Sequence, residues 1–181
     1  MMNIQLFGKI CVLSGLLIAF ANACQQKTES LSKKESMVIF AFNQLSEEQI
    51  DKQLLSFTNT QKLILQKESK SGWEVYPPRE SDDPVFDQVP KKELSSAIGK
   101  LEQLSYLSLY DLDLTTLPES ISDLSQLDTL DLARNYLTIS SELDKLAALK
   151  NLTYLNVKHN RIDTVVLKHW MADKPGLQVI Y

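Results

Sequence analysis

Leu127-Asp-Thr-Leu130-Asp-Leu132-Ala-Arg-Asn135-Tyr-Leu137 is the stretch that decides the fold of this chain. Leu130 and Leu132 alternate with Asp131, so an extended backbone turns both leucines to one side and Asp131 to the other. The same pattern precedes it as Leu104-Ser-Tyr-Leu107-Ser-Leu109-Tyr-Asp-Leu112-Asp-Leu114. It returns as Leu152-Thr-Tyr-Leu155-Asn-Val157-Lys-His-Asn160-Arg-Ile162, the starts lying 23 and 25 residues apart. Another 25 residues on, Leu177-Gln-Val-Ile180-Tyr181 reads as the beginning of a fourth copy. One such segment cannot bury its apolar side alone. Stacked copies bury it as one continuous core beneath one parallel sheet.

The intervening segments repeat as well. Leu94-Ser-Ser-Ala-Ile98-Gly-Lys-Leu101-Glu-Gln-Leu104 aligns with Leu117-Pro-Glu-Ser-Ile121-Ser-Asp-Leu124-Ser-Gln-Leu127 at the same offset of 23. Ile121, Leu124 and Leu127 recur every three residues, the spacing of one side of a short helical turn. Together the two halves resemble the leucine-rich repeat, LxxLxLxxNxL, whose period is about 20–29 residues. The resemblance covers residues 91–181. It implies an α/β leucine-rich-repeat solenoid with a parallel sheet on its concave face. It also implies a structural role for Asn135 and Asn160, as ladder residues that bond backbone groups where the chain leaves each strand. Leu112 stands in the asparagine position of the first copy, so that turn must be satisfied in another way.

Upstream, Met37–Phe42 is an apolar run of strand length, and Ser46-Glu-Glu-Gln49 reads as a capping box ahead of Ile50, Leu54, Leu55 and Phe57. Lys62-Leu-Ile-Leu65 reads as a further strand. Thr60, Leu63 and Leu65 stand 44 residues before Leu104, Leu107 and Leu109. Residues 37–66 are therefore expected as strand–helix–strand, a degenerate repeat closing the apolar end. Residues 67–90 form a polar loop with Trp73, Tyr76 and Phe86. The unit 37–90 is the expected N-terminal cap.

The first 23 residues read as a targeting segment. Ile10–Phe20 is nearly all apolar and spans about 16 Å as a helix, too short for a bilayer core of about 30 Å. Ala21-Asn22-Ala23 then precedes Cys24, an arrangement that resembles the lipobox of bacterial lipoproteins. The resemblance implies a cut before Cys24 and a diacylglyceryl group on its thiol, with 24–36 a flexible tether. Gln25 is not the aspartate of an inner-membrane retention signal, which points to the outer membrane.

The 181 residues carry 23 acidic and 19 basic side chains, a net charge of −4 that offers no polybasic surface for nucleic acid. Cys11 and Cys24 are the two cysteines, and both precede residue 25, so apolar burial must hold the repeats together. His159 and His169 lack metal-ligand spacing, and no Ser/His/Asp residues stand in a catalytic motif. No cofactor, metal or enzymatic activity is expected. Binding is expected instead.

Residues alternating with the leucines face outward in columns. The first column is expected to hold Tyr106, Thr129, Tyr154 and Val179, the next Ser108, Asp131 and Asn156, and the third Tyr110, Ala133 and Lys158 beside Tyr181. Tyrosine joins a rigid apolar body to a polar tip and suits interfaces. Tyr106, Tyr110, Asp131, Tyr154, Asn156 and Lys158 are thus the candidate contacts for a protein partner. The expected function is a membrane-anchored extracytoplasmic recognition module; a structural envelope or cell-surface scaffold is the other class that fits.

Overall fold

The computed structural model describes residues 10–13, 16–19, 37–41, 46–67 and 91–181. Cys24 and the loop aromatics Trp73, Tyr76 and Phe86 lie outside the described residues. Among those residues, strands β1 (Ile10–Leu13), β2 (Leu16–Ala19), β3 (Met37–Ala41), β4 (Lys62–Gln66), β5 (Tyr106–Ser108), β6 (Thr129–Asp131), β7 (Tyr154–Asn156) and β8 (Gln178–Ile180) form one sheet in chain order. β1 pairs antiparallel with β2, and every later pair is parallel.

The register follows the leucines. Val38, Leu63, Leu107, Leu130, Leu155 and Val179 stand side by side across six strands. All but Val179 are buried, and Val179 packs partly buried against the same core. Leu65, Leu109, Leu132 and Val157 form a second buried level, as do Thr60, Leu104, Leu127 and Leu152 before the strands.

The return segments stack on the other side of this core. They are helix α1 (Glu47–Leu55), two 3₁₀ turns at Ser96–Lys100 and Glu119–Asp123, helix α2 (Ile139–Ala148) and helix α3 (Thr164–Ala172). Ile121, Leu124 and Leu127 all reach the interior because successive three-residue turns link them, the Leu124 N–H donating to the Ile121 carbonyl and the Leu127 N–H to the Leu124 carbonyl. α1 begins at a complete capping box, Ser46 with Gln49, and Asp163 caps α3 through the Val165 and Val166 N–H groups. The Ser95 hydroxyl donates to the Asp51 carboxylate, tying the first 3₁₀ turn to α1. Gly99 lets the two 3₁₀ turns approach: a Cβ there would lie 2.6 Å from the Ser120 carbonyl oxygen.

The turns out of β5, β6 and β7 share one left-handed residue. Asp111, Arg134 and His159 all take left-handed backbone conformations, with φ of 56°, 60° and 60°. The residue after each stands at the ladder position. Asn135 Oδ1 accepts the N–H groups of Leu112 and Leu114, both at 3.0 Å, and its Nδ2 donates to the Leu109 and Leu132 carbonyls, both at 2.8 Å. Asn160 accepts the Leu137 N–H at 3.1 Å and donates to Leu132 and Val157 carbonyls at 2.9 Å. Leu112 has no such side chain, so its turn is completed from the next repeat by Asn135. Asp113 takes a second left-handed conformation there, φ 60°.

The fourth strand departs from the sequence reading. Val179 does not join Tyr154: Gln178 pairs with Tyr154, Val179 with Leu155 and Ile180 with Asn156. The strand starts one residue sooner after its turn. The Leu152 N–H closes a turn on Leu149 and β7 begins two residues later, whereas Leu177 closes on Lys174 and β8 begins at the next residue. A shift of one residue exchanges the two sides of a strand, so Val179 turns inward and Gln178 outward. His159 is half-buried in its turn.

Candidate interaction face

The outward columns of the sheet now have definite members. Tyr106, Thr129, Tyr154 and Gln178 form one, and Ser108, Asp131, Asn156 and Ile180 the next. Beyond the strands, Tyr110, Ala133 and Lys158 follow two residues after Ser108, Asp131 and Asn156. Tyr106, Asp131, Tyr154 and Asn156 are half-buried, Lys158 is exposed, and Tyr110 is 47% exposed. All six candidate contacts therefore lie on one side of strands β5–β7 or at their ends. Ser108 and Ala133 are buried among them and shape the floor.

Asp131 is the single carboxylate among the described strand residues. Burial pushes its carboxyl above the ordinary range. The Ala133 N–H, 3.0 Å from Oδ1, and the Asn156 side chain act against that shift without cancelling it. Asn156 also accepts the Lys158 N–H at 3.2 Å, which fixes its carbonyl end and turns its amide toward Asp131. The Tyr106 hydroxyl is pushed up by burial first, then by the neighbouring Asp131, against a hydrogen bond with Ser108; Tyr154 adds a smaller push. Asp131 and Tyr154 both lie within electrostatic reach of the Tyr106 hydroxyl.

Two polar groupings escaped the sequence reading. At the turn edge, Lys67 Nζ lies 2.8 Å from Asp113 and 4.0 Å from Asp111, and Arg134 Nε lies 4.0 Å from Asp111. Lys92 beside them is lowered by burial, with Asp113 opposing and Lys67 reinforcing. On the helical side, buried Glu142 accepts the Thr116 hydroxyl at 3.0 Å and the Leu117 N–H at 3.2 Å, and Lys145 Nζ reaches it at 3.0 Å. Burial disfavours the Lys145 charge, but Glu142 and Glu119 outweigh it and hold its pKa up. The Glu142–Lys145 grouping satisfies its own members and reads as structural. Among the described residues, no cluster of three or more His, Cys, Asp or Glu side chains could hold a metal ion, and no helix is long and apolar enough to cross a membrane.

A parallel sheet with one strand per 23–25 residues, leucine columns beneath it and asparagines bonding successive turns define an α/β fold of leucine-rich-repeat type. No protein-family model matches the chain, and no curated protein matches it. Solved structures that resemble it include a leucine-rich-repeat protein of Leptospira interrogans, at 28% identity over 50% of this chain and 22% of that one, with a TM-score of 0.43. An internalin of Listeria monocytogenes aligns at 19% identity over 70% of this chain and 42% of that one, with a TM-score of 0.35. The matched part is less than half the length of either protein.

Proposed function

We propose that this chain is a membrane-anchored extracytoplasmic recognition module, a repeat solenoid that binds a protein partner through the outward face of strands β5–β7. The observation that carries this reading is Asp131. A carboxylate half-buried between two tyrosine columns, and held where burial penalises its charge, is costly to keep for stability alone. Tyr106 and Tyr154, in the adjoining column of the neighbouring strands, add rigid amphipathic rings of the kind that anchor interfaces.

The anchor rests on the sequence: an apolar segment, Ala21-Asn22-Ala23, then Cys24. β1 and β2 belong to that apolar segment. A cut after Ala23 would remove both strands and leave β3 as the sheet edge, with β3, α1 and β4 capping the repeats.

The test is site-specific photo-crosslinking in the producing cell. A photoreactive residue at Tyr154 or Lys158 should give one discrete protein adduct, while the same residue at Gln126 or Lys150, exposed between the strands and the return segments, should give none. Adducts formed only from Gln126 or Lys150 would refute the face.

A further inference from the structure

The chemistry of the face narrows the partner. Tyr106 and Tyr154 occupy the same column on β5 and β7, with only Thr129 on β6 between them. Neighbouring strands lie about 4.8 Å apart, so the two tyrosine positions are about 10 Å apart over a short side chain. A slot of that width places a group at its middle about 5 Å from each ring position, inside the roughly 6 Å reach of a cation–π contact. Asp131 lies on the same strand and the same side as Thr129, two residues or about 7 Å further along. One end of the slot is thus negative, and a tyrosine stands on either side of it.

Among the described residues, no cationic side chain lies within ion-pair distance of Asp131; its partners are the Ala133 N–H and the Asn156 side chain. Lys158 and Lys62 border the face, Lys158 beyond the end of β7 and Lys62 beside Tyr106 on β4. We propose that the slot receives a basic side chain, an arginine or lysine of the protein partner, sandwiched between Tyr106 and Tyr154 with its charged head on the Asp131 carboxylate. This rests on the reading that the face binds protein. It adds the residue type that the partner must present. A neutral side chain offers Asp131 no opposite charge and an acidic one is repelled by it, so the site discriminates by charge.

The probe is N-acetyl-arginine methylamide, set against N-acetyl-citrulline methylamide, which has the same shape without the charge. In an NMR titration of the labelled protein, the arginine compound should shift Tyr106, Asp131 and Tyr154 together and saturably. The citrulline compound should bind at least about 10-fold more weakly, a difference of about 1.4 kcal/mol. Asp131→Asn, an outward-facing isostere, should abolish that difference. Absence of a saturable shift at these three residues overturns the proposal, as does equal binding of the two compounds. Crosslinking at Tyr154 judges the face separately. If the adduct persists undiminished in Asp131→Asn, the face remains an interface and the basic anchor is wrong.

Discussion

Asn135 accepts the backbone N–H of Leu112, 23 residues before it, at 3.0 Å. One side chain therefore completes its own turn and that of a repeat with leucine at the ladder position. Asn135→Ala would leave the Leu112 and Leu114 N–H groups buried and unsatisfied. The expected cost is about 1–3 kcal/mol, read from urea unfolding. Leu130→Ala, in the middle of the buried column, should cost about 2–5 kcal/mol. Both approach the whole stability of a small domain. If both variants unfold with the wild type, the register is wrong.

Gly99 and Gly176 should respond oppositely to alanine. At Gly99 the new methyl would meet the Ser120 carbonyl oxygen at 2.6 Å and the Ser120 Cβ at 2.8 Å. The two 3₁₀ turns would be pushed apart, at a cost of about 1–3 kcal/mol. At Gly176 nothing lies within 4 Å of the added atom. Gly176→Ala should be neutral or stabilising by up to about 1 kcal/mol, through the unfolded chain. Equal thermal midpoints for the two variants would contradict the stacking of the return segments.

Asp131 should reveal itself through pH. Its folded pKa lies above its unfolded value because of burial. The folded state therefore holds the proton more tightly, and that stabilisation is present below the unfolded pKa and lost as pH rises through the folded one. At pH 7 the ionised carboxylate opposes folding, so Asp131→Asn should be the more stable protein there. The advantage should shrink as pH falls through the folded pKa to below the unfolded value of about 3.9. A constant offset between the two proteins across this range would show that burial does not penalise the charge.

Cys24→Ser should release the protein from membranes or stall its processing. Lipid anchoring gains about 0.8 kcal/mol per buried CH₂, and stable residence takes two signals. Mass spectrometry of the mature protein also decides the fate of residues 10–19. A start at Cys24 means that β1 and β2 belong to the unprocessed chain. Retention of those residues, with membrane fractionation unchanged in Cys24→Ser, would remove the anchor.

The leucine columns were legible in the sequence because alternation and a 23-residue offset agree at Leu107, Leu109, Leu130 and Leu132. The last strand was not, because Leu177, Val179 and Ile180 are all apolar and either parity places an apolar residue inside. The turn at Lys174–Leu177 decides it. The buried pair Glu142 and Lys145 was hidden for another reason. In Ser-Glu-Leu-Asp-Lys-Leu it has the spacing of a solvated helix face, and only the contact of α2 with Thr116 and Leu117 buries it. The six candidate contacts followed from alternation alone, whereas the penalty on Asp131 depends on how closely Ser108, Ala133 and Asn156 crowd it.

The partner is proposed to sit on the strand face. The most direct test of this is the affinity of the crosslinked partner, once purified, for Tyr154→Ala and for Trp73→Ala, the latter from the long polar loop. Tyr154→Ala should lose about 1–2 kcal/mol or more of binding, as truncation of an anchoring aromatic does, while its unfolding midpoint stays near that of the wild type. Trp73→Ala should bind normally. Normal binding by a folded Tyr154→Ala together with loss in Trp73→Ala would put the site on the 67–90 segment and not on the strand face.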